Sequence, residues 1–249
     1  MILAILQARM SSTRLPGKVM LPILGVPALQ QQIRRIQNSM LIDKLIVATS
    51  DDESDTVIAD LCQKIDVACF RGPLDDVLDR FYQAAKTYEP LHIVRLTGDC
   101  PLCDSGIIDE VIQYHLDGDF DFTSNALPPT FPDGLDVEVI RYNLLEDAAS
   151  NATTNRQREH VTPYIREQAD THVGNYTNSK DLSSLRWTLD YQDDYEFIIK
   201  VYEHLYKLNP EFNYTDIIKL IENNPEIQKI NSSHIRNEAT SMACQEVSE

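Results

Sequence analysis

The spacing of apolar residues divides this chain into two regimes. "ILAILQ" (2–7) is a short unbroken apolar run, the pattern of a strand covered on both faces. "LQQQIRRIQ" (29–37) has helical spacing, and "KLIVATS" (44–50) predicts the next strand. "ESDTVIADLCQKI" (53–65) predicts an amphipathic helix with its acids near the N-terminal end, where the helix dipole favours them. "VACF" (67–70), "LDDVLDRFYQAAKTY" (74–88) and "HIVRLTGDC" (92–100) continue the series as strand, helix and strand. Strands alternating with helices in this way predict βαβ units and a mostly parallel sheet covered by helices on both faces.

Past Tyr114 the rhythm changes. "DFTSN" (121–125) predicts a strand, "ALPPTFPDG" (126–134) a proline-rich loop, and "LDVEVI" (135–140) a strand with clean alternation. Residues 141–170 are helical in pattern but polar, so that 126–170 is expected to form an inserted arm. "SSLRWTLD" (183–190) is expected as a further strand, followed by helices over 193–208 and in "NYTDIIKLIENNP". Residues 1–230 are expected as a single domain, and the polar, aperiodic 231–249 as a frayed tail rather than a site.

Composition narrows the function classes. The 249 residues suffice for a full core, and 43% hydrophobic with 24% charged residues is ordinary for a soluble domain. A formal net charge of -17 argues against nucleic-acid or anionic-membrane partners. No stretch approaches a membrane span or a secretory leader, so cytoplasmic residence is the default expectation. Five cysteines do not describe a disulfide scaffold, and Cys100-x-x-Cys103 lacks a second pair at zinc spacing.

Against that acidic background, Met1 to Ile42 carries Arg9, Arg14, Lys18, Arg34 and Arg35 with no Asp or Glu. Loop 8–18 leaves the first strand at the sheet edge where ligands bind in such folds. Three cations, the hydroxyls of Ser11, Ser12 and Thr13, and a Pro16-Gly17 turn fit a triphosphate, although a solvated basic loop has the same composition. Neither G-x-x-x-x-G-K-[ST] nor G-x-G-x-x-G is present.

"LTGDCP" places Asp99 beyond the fourth strand, and "RWTLDYQDD" places Asp190 beyond another apolar segment. Each alone reads as a cap or turn, but two carboxylates from separate strands facing a cationic loop suit an Mg²⁺ bridging to phosphates. Asp136 and Glu138 share one strand face, and Arg158 and His160 form a basic cluster. These four are candidates for a second substrate, with a solvated edge or structural pairing as the alternative.

"QARMSSTRLPGKVML" resembles the N-terminal signature of the nucleotide-sugar cytidylyltransferases, including the 3-deoxy-manno-octulosonate and acylneuraminate enzymes. "LTGDCPL", "DGLDVEV", "REHVTPYI" and "RWTLDYQDDYEF" are closer to the spore-coat polysaccharide biosynthesis protein F group. The resemblance implies a Rossmann-like nucleotide-diphospho-sugar transferase fold, usually dimeric, joining CTP to an acidic sugar with release of pyrophosphate. It implies nucleotide contacts from Arg9, Ser12, Arg14, Lys18 and, near the base, Arg71, with Mg²⁺ on Asp99 and Asp190. The family's D-x-P-E-D here reads "DYQDD", with Gln192 for Pro and Asp193 for Glu. A homologous enzyme using another nucleotide or a sugar phosphate, or a glycosyltransferase taking a ready-made nucleotide sugar, would share the same edge.

Overall fold

The computed structural model describes residues 1–234 and Arg236. Strands β1 (Ile2–Gln7), β2 (Pro22–Ile23), β3 (Val26–Pro27), β4 (Lys44–Ser50), β5 (Ala68–Gly72), β6 (His92–Thr97), β7 (Phe122–Ser124), β8 (Glu138–Arg141) and β9 (Val173–Asn175) are joined by ten helices. These are α1 (Ala28–Ile36), α2 (Thr56–Lys64), α3 (Val77–Lys86), α4 (Ser105–Asp117), α5 (Tyr142–Asn151), α6 (Asn155–His160), α7 (Pro163–Glu167), α8 (Gln192–Leu205), α9 (Tyr214–Asn223) and α10 (Pro225–Lys229). Seven strands form one sheet in the order β5-β4-β1-β6-β8-β7-β9, and β2 with β3 makes a small hairpin. β5, β4, β1 and β6 run parallel, while β8 is antiparallel to both β6 and β7.

The apolar run of β1 has the burial its pattern predicts. Ala4 and Leu6 enter a core shared with α1, α2, α4, α8 and α9, while Leu3 and Ile5 enter a second core beneath α3, α5 and α7. Period-two alternation on a central strand thus feeds two hydrophobic layers. Among the described residues no helix is long and apolar enough to cross a membrane.

One expectation, the strand over 183–190, is corrected. Residues 183–190 form no sheet strand: Ser183 and Ser184 lie in a turn and Arg186 makes only an isolated bridge with Asp133, while β6 already pairs with β1 on one side and β8 on the other. Their backbone bonds go to loops instead: Trp187 N–H to Asp133 O at 2.7 Å and Leu189 N–H to Asp99 O at 2.7 Å. The expected arm is laid down against α3, with Leu145, Ala148, Val161 and Ile165 buried in the second core. Of the stretch 231–249 expected as a tail, Asn231 is buried, and residue 235 and residues 237–249 lie outside the described residues. The structure also adds α4, capped by Asp104, whose carboxylate accepts from the Gly106 and Ile107 N–H groups.

His115 of α4 is fully buried; its Nδ1 lies 2.9 Å from Thr123 Oγ1 and its Nε2 3.0 Å from His92 Nδ1. Burial, reinforced by the neighbouring His92 and Arg141, holds its pKa down to about 4. The unfolded chain therefore binds a proton near pH 6.5 that the folded chain refuses until about pH 4. Stability is fully present above pH 6.5 and should fall by up to about 3 kcal/mol on acidification through that window. In His115→Gln this part of the slope should vanish in urea titrations between pH 4.5 and 7. An unchanged slope would exclude His115 as its source.

Candidate active site

The basic loop is held open over the sheet edge by two local devices. β1 and β6 end in contact, with Gly98 N–H donating to Gln7 O at 2.7 Å; a Cβ at Gly98 would stand 2.8 Å from that oxygen and 3.0 Å from Ala8 Cβ. Only glycine permits this approach. Asp55, 1% exposed, then fixes where the loop begins. Its Oδ1 accepts from Met10 N–H at 2.7 Å, and its Oδ2 from Ser50 N–H and Thr49 Oγ1, both at 3.0 Å. Further along, Gly17 adopts φ +70°, and its N–H returns to Met10 O before the turn Lys18–Met20.

Lys18 is delivered by that turn into a space between two carboxylates. Its Nζ donates to Asp99 Oδ2 at 3.0 Å and to Asp190 Oδ1 at 2.8 Å, with the residue only 8% exposed. Burial works against the ammonium, but the two carboxylates outweigh it and its pKa is raised. Burial likewise opposes ionisation of Asp99, and Lys18 together with the Thr97 hydroxyl overrides it, so Asp99 stays ionised well below the usual carboxylate range. Arg14 Nη2 adds a second cation to Asp190 Oδ1 at 2.6 Å.

Behind Asp190 stands Arg186, which reaches three carboxylates. It donates to Asp190 Oδ2 at 3.1 Å, to Asp194 Oδ1 and Oδ2 at 2.9 and 3.0 Å, and to Asp133 Oδ2 at 3.2 Å. Asp194 also accepts from the N–H groups of Asp190 and Tyr191 at 3.0 Å each and from Asn231 Nδ2 at 2.8 Å. Asp194 thereby caps α8 and locks the segment carrying Asp190. Gly134, at φ +104°, lets the preceding loop lie on this segment, since a Cβ there would meet the Trp187 and Thr188 backbone at 2.7 Å.

A cavity of about 560 Å³ opens above this network, lined among others by Arg9, Ser12, Arg14, Lys18, Asp99 and Asp190. The structure therefore gathers six of the sequence candidates at one place. The others lie elsewhere or are otherwise engaged. Arg71 donates to Ser50 O at 3.0 Å and Asp52 O at 2.7 Å, tying β5 to the loop after β4 rather than lining the cavity. Glu138 pairs with Arg95 at 2.7 Å, its cross-strand register partner. Arg158 Nε holds Asp76 at 3.0 Å, a tie between α6 and the start of α3, and His160 is exposed at the end of α6. Asp136 sits beside the network, paired with Arg236 at 2.5 Å.

Sequence reasoning missed Asp55, Arg186, Tyr191 and the C-terminal pair His234 and Arg236. The Tyr191 and His234 rings stack 4.0 Å apart, and Arg14 lies over the Tyr191 ring at 5.3 Å. A lone basic residue inside an apolar run, as Arg186 is in "LRWTLD", was the available signal, because a buried charge demands partners. Cys100 and Cys103 are buried free thiols, with burial raising both and Cys103 reaching about 12.

Among the described residues no group of three or more His, Cys, Asp or Glu could hold a metal ion. The donor set nevertheless fits a hard divalent cation that takes most ligands from substrate and water. Asp99 and Asp190 present carboxylate oxygens to one cavity, and Asp99 Oδ1 is engaged by Cys100 Sγ at only 3.5 Å.

Comparison with known proteins agrees with this geometry. The profile of a cytidylyltransferase family matches residues 3–220. The chain is 35% identical over 233 residues to the spore coat polysaccharide biosynthesis protein SpsF of Bacillus subtilis, covering 90% of this chain and 95% of that one. It is 32% identical over 111 residues to the 3-deoxy-manno-octulosonate cytidylyltransferase of Geobacter sulfurreducens, covering 45% and 44% of the two chains. The solved structure of a cytidylyltransferase from Leptospira borgpetersenii superposes with a TM-score of 0.86 at 36% identity, covering 92% of this chain and 96% of that one.

The Asp55 anchor is testable separately from any chemistry. Asp55→Ala strands the Met10 and Ser50 N–H groups without an acceptor and should cost about 2–4 kcal/mol in urea unfolding. Asp55→Asn, which keeps an acceptor for Met10, should lose roughly half as much. Equal, negligible losses would show that the loop is anchored by other contacts.

Proposed function

The chain belongs to the cytidylyltransferase family, and from that premise we propose that it transfers a cytidylyl group from CTP to an acidic sugar, releasing pyrophosphate. The observation that carries this reading is the cavity at the carboxyl edge of the sheet, where a cationic loop faces Asp99 and Asp190 across Lys18. The nature of the acceptor is supported by the octulosonate named in one relative and the polysaccharide named in another.

In this reading Arg14 and Lys18 bind the β and γ phosphates, exchanging carboxylate partners for phosphate oxygens. Arg9 faces the α-phosphate, where negative charge builds during attack, and Ser12 offers its hydroxyl to the phosphate chain. The anomeric hydroxyl oxygen forms a bond to the α-phosphorus while the bond to the bridging oxygen of the β-phosphate breaks, so that pyrophosphate departs in line with the attack. Asp99 orients the hydroxyl, whose proton passes to solvent. Asp99 and Asp190 would hold Mg²⁺, which when bound offsets phosphate charge and lowers the pKa of the attacking hydroxyl. No covalent enzyme intermediate is needed, and positioning with charge stabilisation supplies most of the rate.

The test is pyrophosphate release with Mg²⁺, each of the four nucleoside triphosphates, and a panel of sugar acids and sugar phosphates. Release with CTP and a sugar acid is expected; release only with another nucleotide or a sugar phosphate would redirect the assignment, and silence throughout would overturn it. Within the active combination, Asp99→Asn should reduce kcat by at least about 100-fold while the protein still folds. Wild-type turnover in that variant would remove Asp99 from the mechanism. Lys18→Met should cost roughly 2–4 kcal/mol in kcat/KM for CTP, the scale of a charged phosphate contact.

A further inference from the structure

An acidic sugar brings a further negative charge to an edge already crowded with carboxylates. Burial, followed by the Asp136 charge, pushes the Asp133 pKa up to about 6, and Arg186 joins Asp133 to Asp190 at the neighbouring cavity. These groups therefore share one electrostatic environment, and an incoming carboxylate needs a cation within it.

The cations present differ in how firmly they are committed. Lys18 bridges Asp99 and Asp190, and Arg186 is fixed among three carboxylates with its side chain 6% exposed. Withdrawing Arg186 would leave Asp194, which is fully buried, short of its cation, at a cost no substrate contact could repay. Arg95 belongs to β6 and is spent on its ladder partner Glu138.

Arg236 differs from all of these. It comes from the stretch following α10, outside the sheet, on a turn fastened by Asn231, whose Nδ2 donates to Arg186 O and Asp194, and by His234, whose Nε2 lies 2.9 Å from Asp193. Its Nη2 holds Asp136 Oδ1 at 2.5 Å, its Nη1 donates to Phe131 O at 3.2 Å, and its Nε stands 3.9 Å from Asp133 Oδ1. Asp136 has a side chain 40% exposed, so water can solvate it once Arg236 lets go. A cavity of about 330 Å³ is lined there by Arg236, Arg186, Asp133 and His234, among others.

Resting on the cytidylyltransferase reading, we propose that Arg236 selects for a carboxylate on the acceptor, exchanging Asp136 for the carboxylate of the incoming sugar. The planar guanidinium fork suits a carboxylate bidentately, and the exchange replaces one ion pair by another, so that selectivity requires no rearrangement of the buried network.

The experiment compares wild type, Arg236→Gln and Arg236→Lys in the full chain. Pyrophosphate release is measured with CTP and the sugar acid that supports turnover, and again with the same sugar carrying a hydroxymethyl group in place of its carboxylate. Arg236→Gln should lose about 10- to 150-fold in kcat/KM for the acid, chiefly through KM, with the KM for CTP unchanged and the reduced sugar little affected. Arg236→Lys, which retains the charge without the fork, should recover part of the acid preference. If Arg236→Gln slows both sugars in the same proportion, or leaves the acid unchanged, Arg236 is structural and the assignment falls while the transferase reading stands. If wild type releases no pyrophosphate with any acid, the transferase reading fails and this assignment fails with it.

Discussion

The ammonium of Lys18 is the contact on which the arrangement of the site depends. Asp99 arrives from β6 and Asp190 from a segment outside the sheet, and their side chains meet at 3.0 and 2.8 Å from one nitrogen. Without a cation there, two partly desolvated carboxylates would repel each other and one would take up a proton. With it the two carboxylates are held together, and the loop that carries Lys18 is drawn down onto the sheet edge. The anchor of that loop on Asp55 and the approach of Gly98 to Gln7 then follow as the geometry that lets Lys18 reach this position.

This explains how a chain with formal net charge -17 can carry a local anion site. The long-range field of the protein is screened within roughly 8–10 Å at physiological salt, whereas contacts inside a partly dry cavity are screened far less. The cations of loop 8–18 are also not balanced by any acid of their own stretch of sequence. Their partners come from Asp99 and Asp190, remote in sequence, so neutralisation is a property of the folded chain only. Under the proposed reading, a phosphate group entering the cavity would meet donors already in place and exchange one set of oxygen acceptors for another.

How much of this was legible in the sequence follows from the range of the interactions. The two-residue period of β1 and β4 and the helical spacing of α2 and α3 are local, and the α/β order was readable from them. The placing of the basic loop and Asp99 at one edge was readable too, because β1 and β6 end there; Asp190 reaches the same cavity although its segment is not a strand. The segment 183–190 was expected as a strand because its apolar alternation is that of one; only the placement of β8 beside β6 denies it a ladder. Arg71 was placed near the base by the family resemblance and Arg158 near a second substrate by its basic cluster, yet each satisfies its guanidinium on backbone carbonyls or an acid of a neighbouring element. The polar C-terminal stretch carries no periodicity, and its docking rests on a few side-chain contacts to Asp193, Asp194 and Asp136 that no local pattern encodes.

Arg186 joins the two sides of the edge. Through Asp190 it touches the carboxylate that faces the basic loop, and through Asp133 it touches the loop leading to Asp136. Counting Lys18, Arg14, Arg186 and Arg236 against Asp99, Asp133, Asp136, Asp190 and Asp194, the connected network holds four cations and five carboxylates, one negative charge in excess. Such an excess favours uptake of a hard cation beside Asp99 and Asp190 and disfavours an uncompensated carboxylate on the Asp133 side. The same imbalance thus sets opposite requirements at the two ends of Arg186. Under the proposed reading a metal would satisfy the phosphate end, while the acceptor end would call for a cation, the role proposed for Arg236.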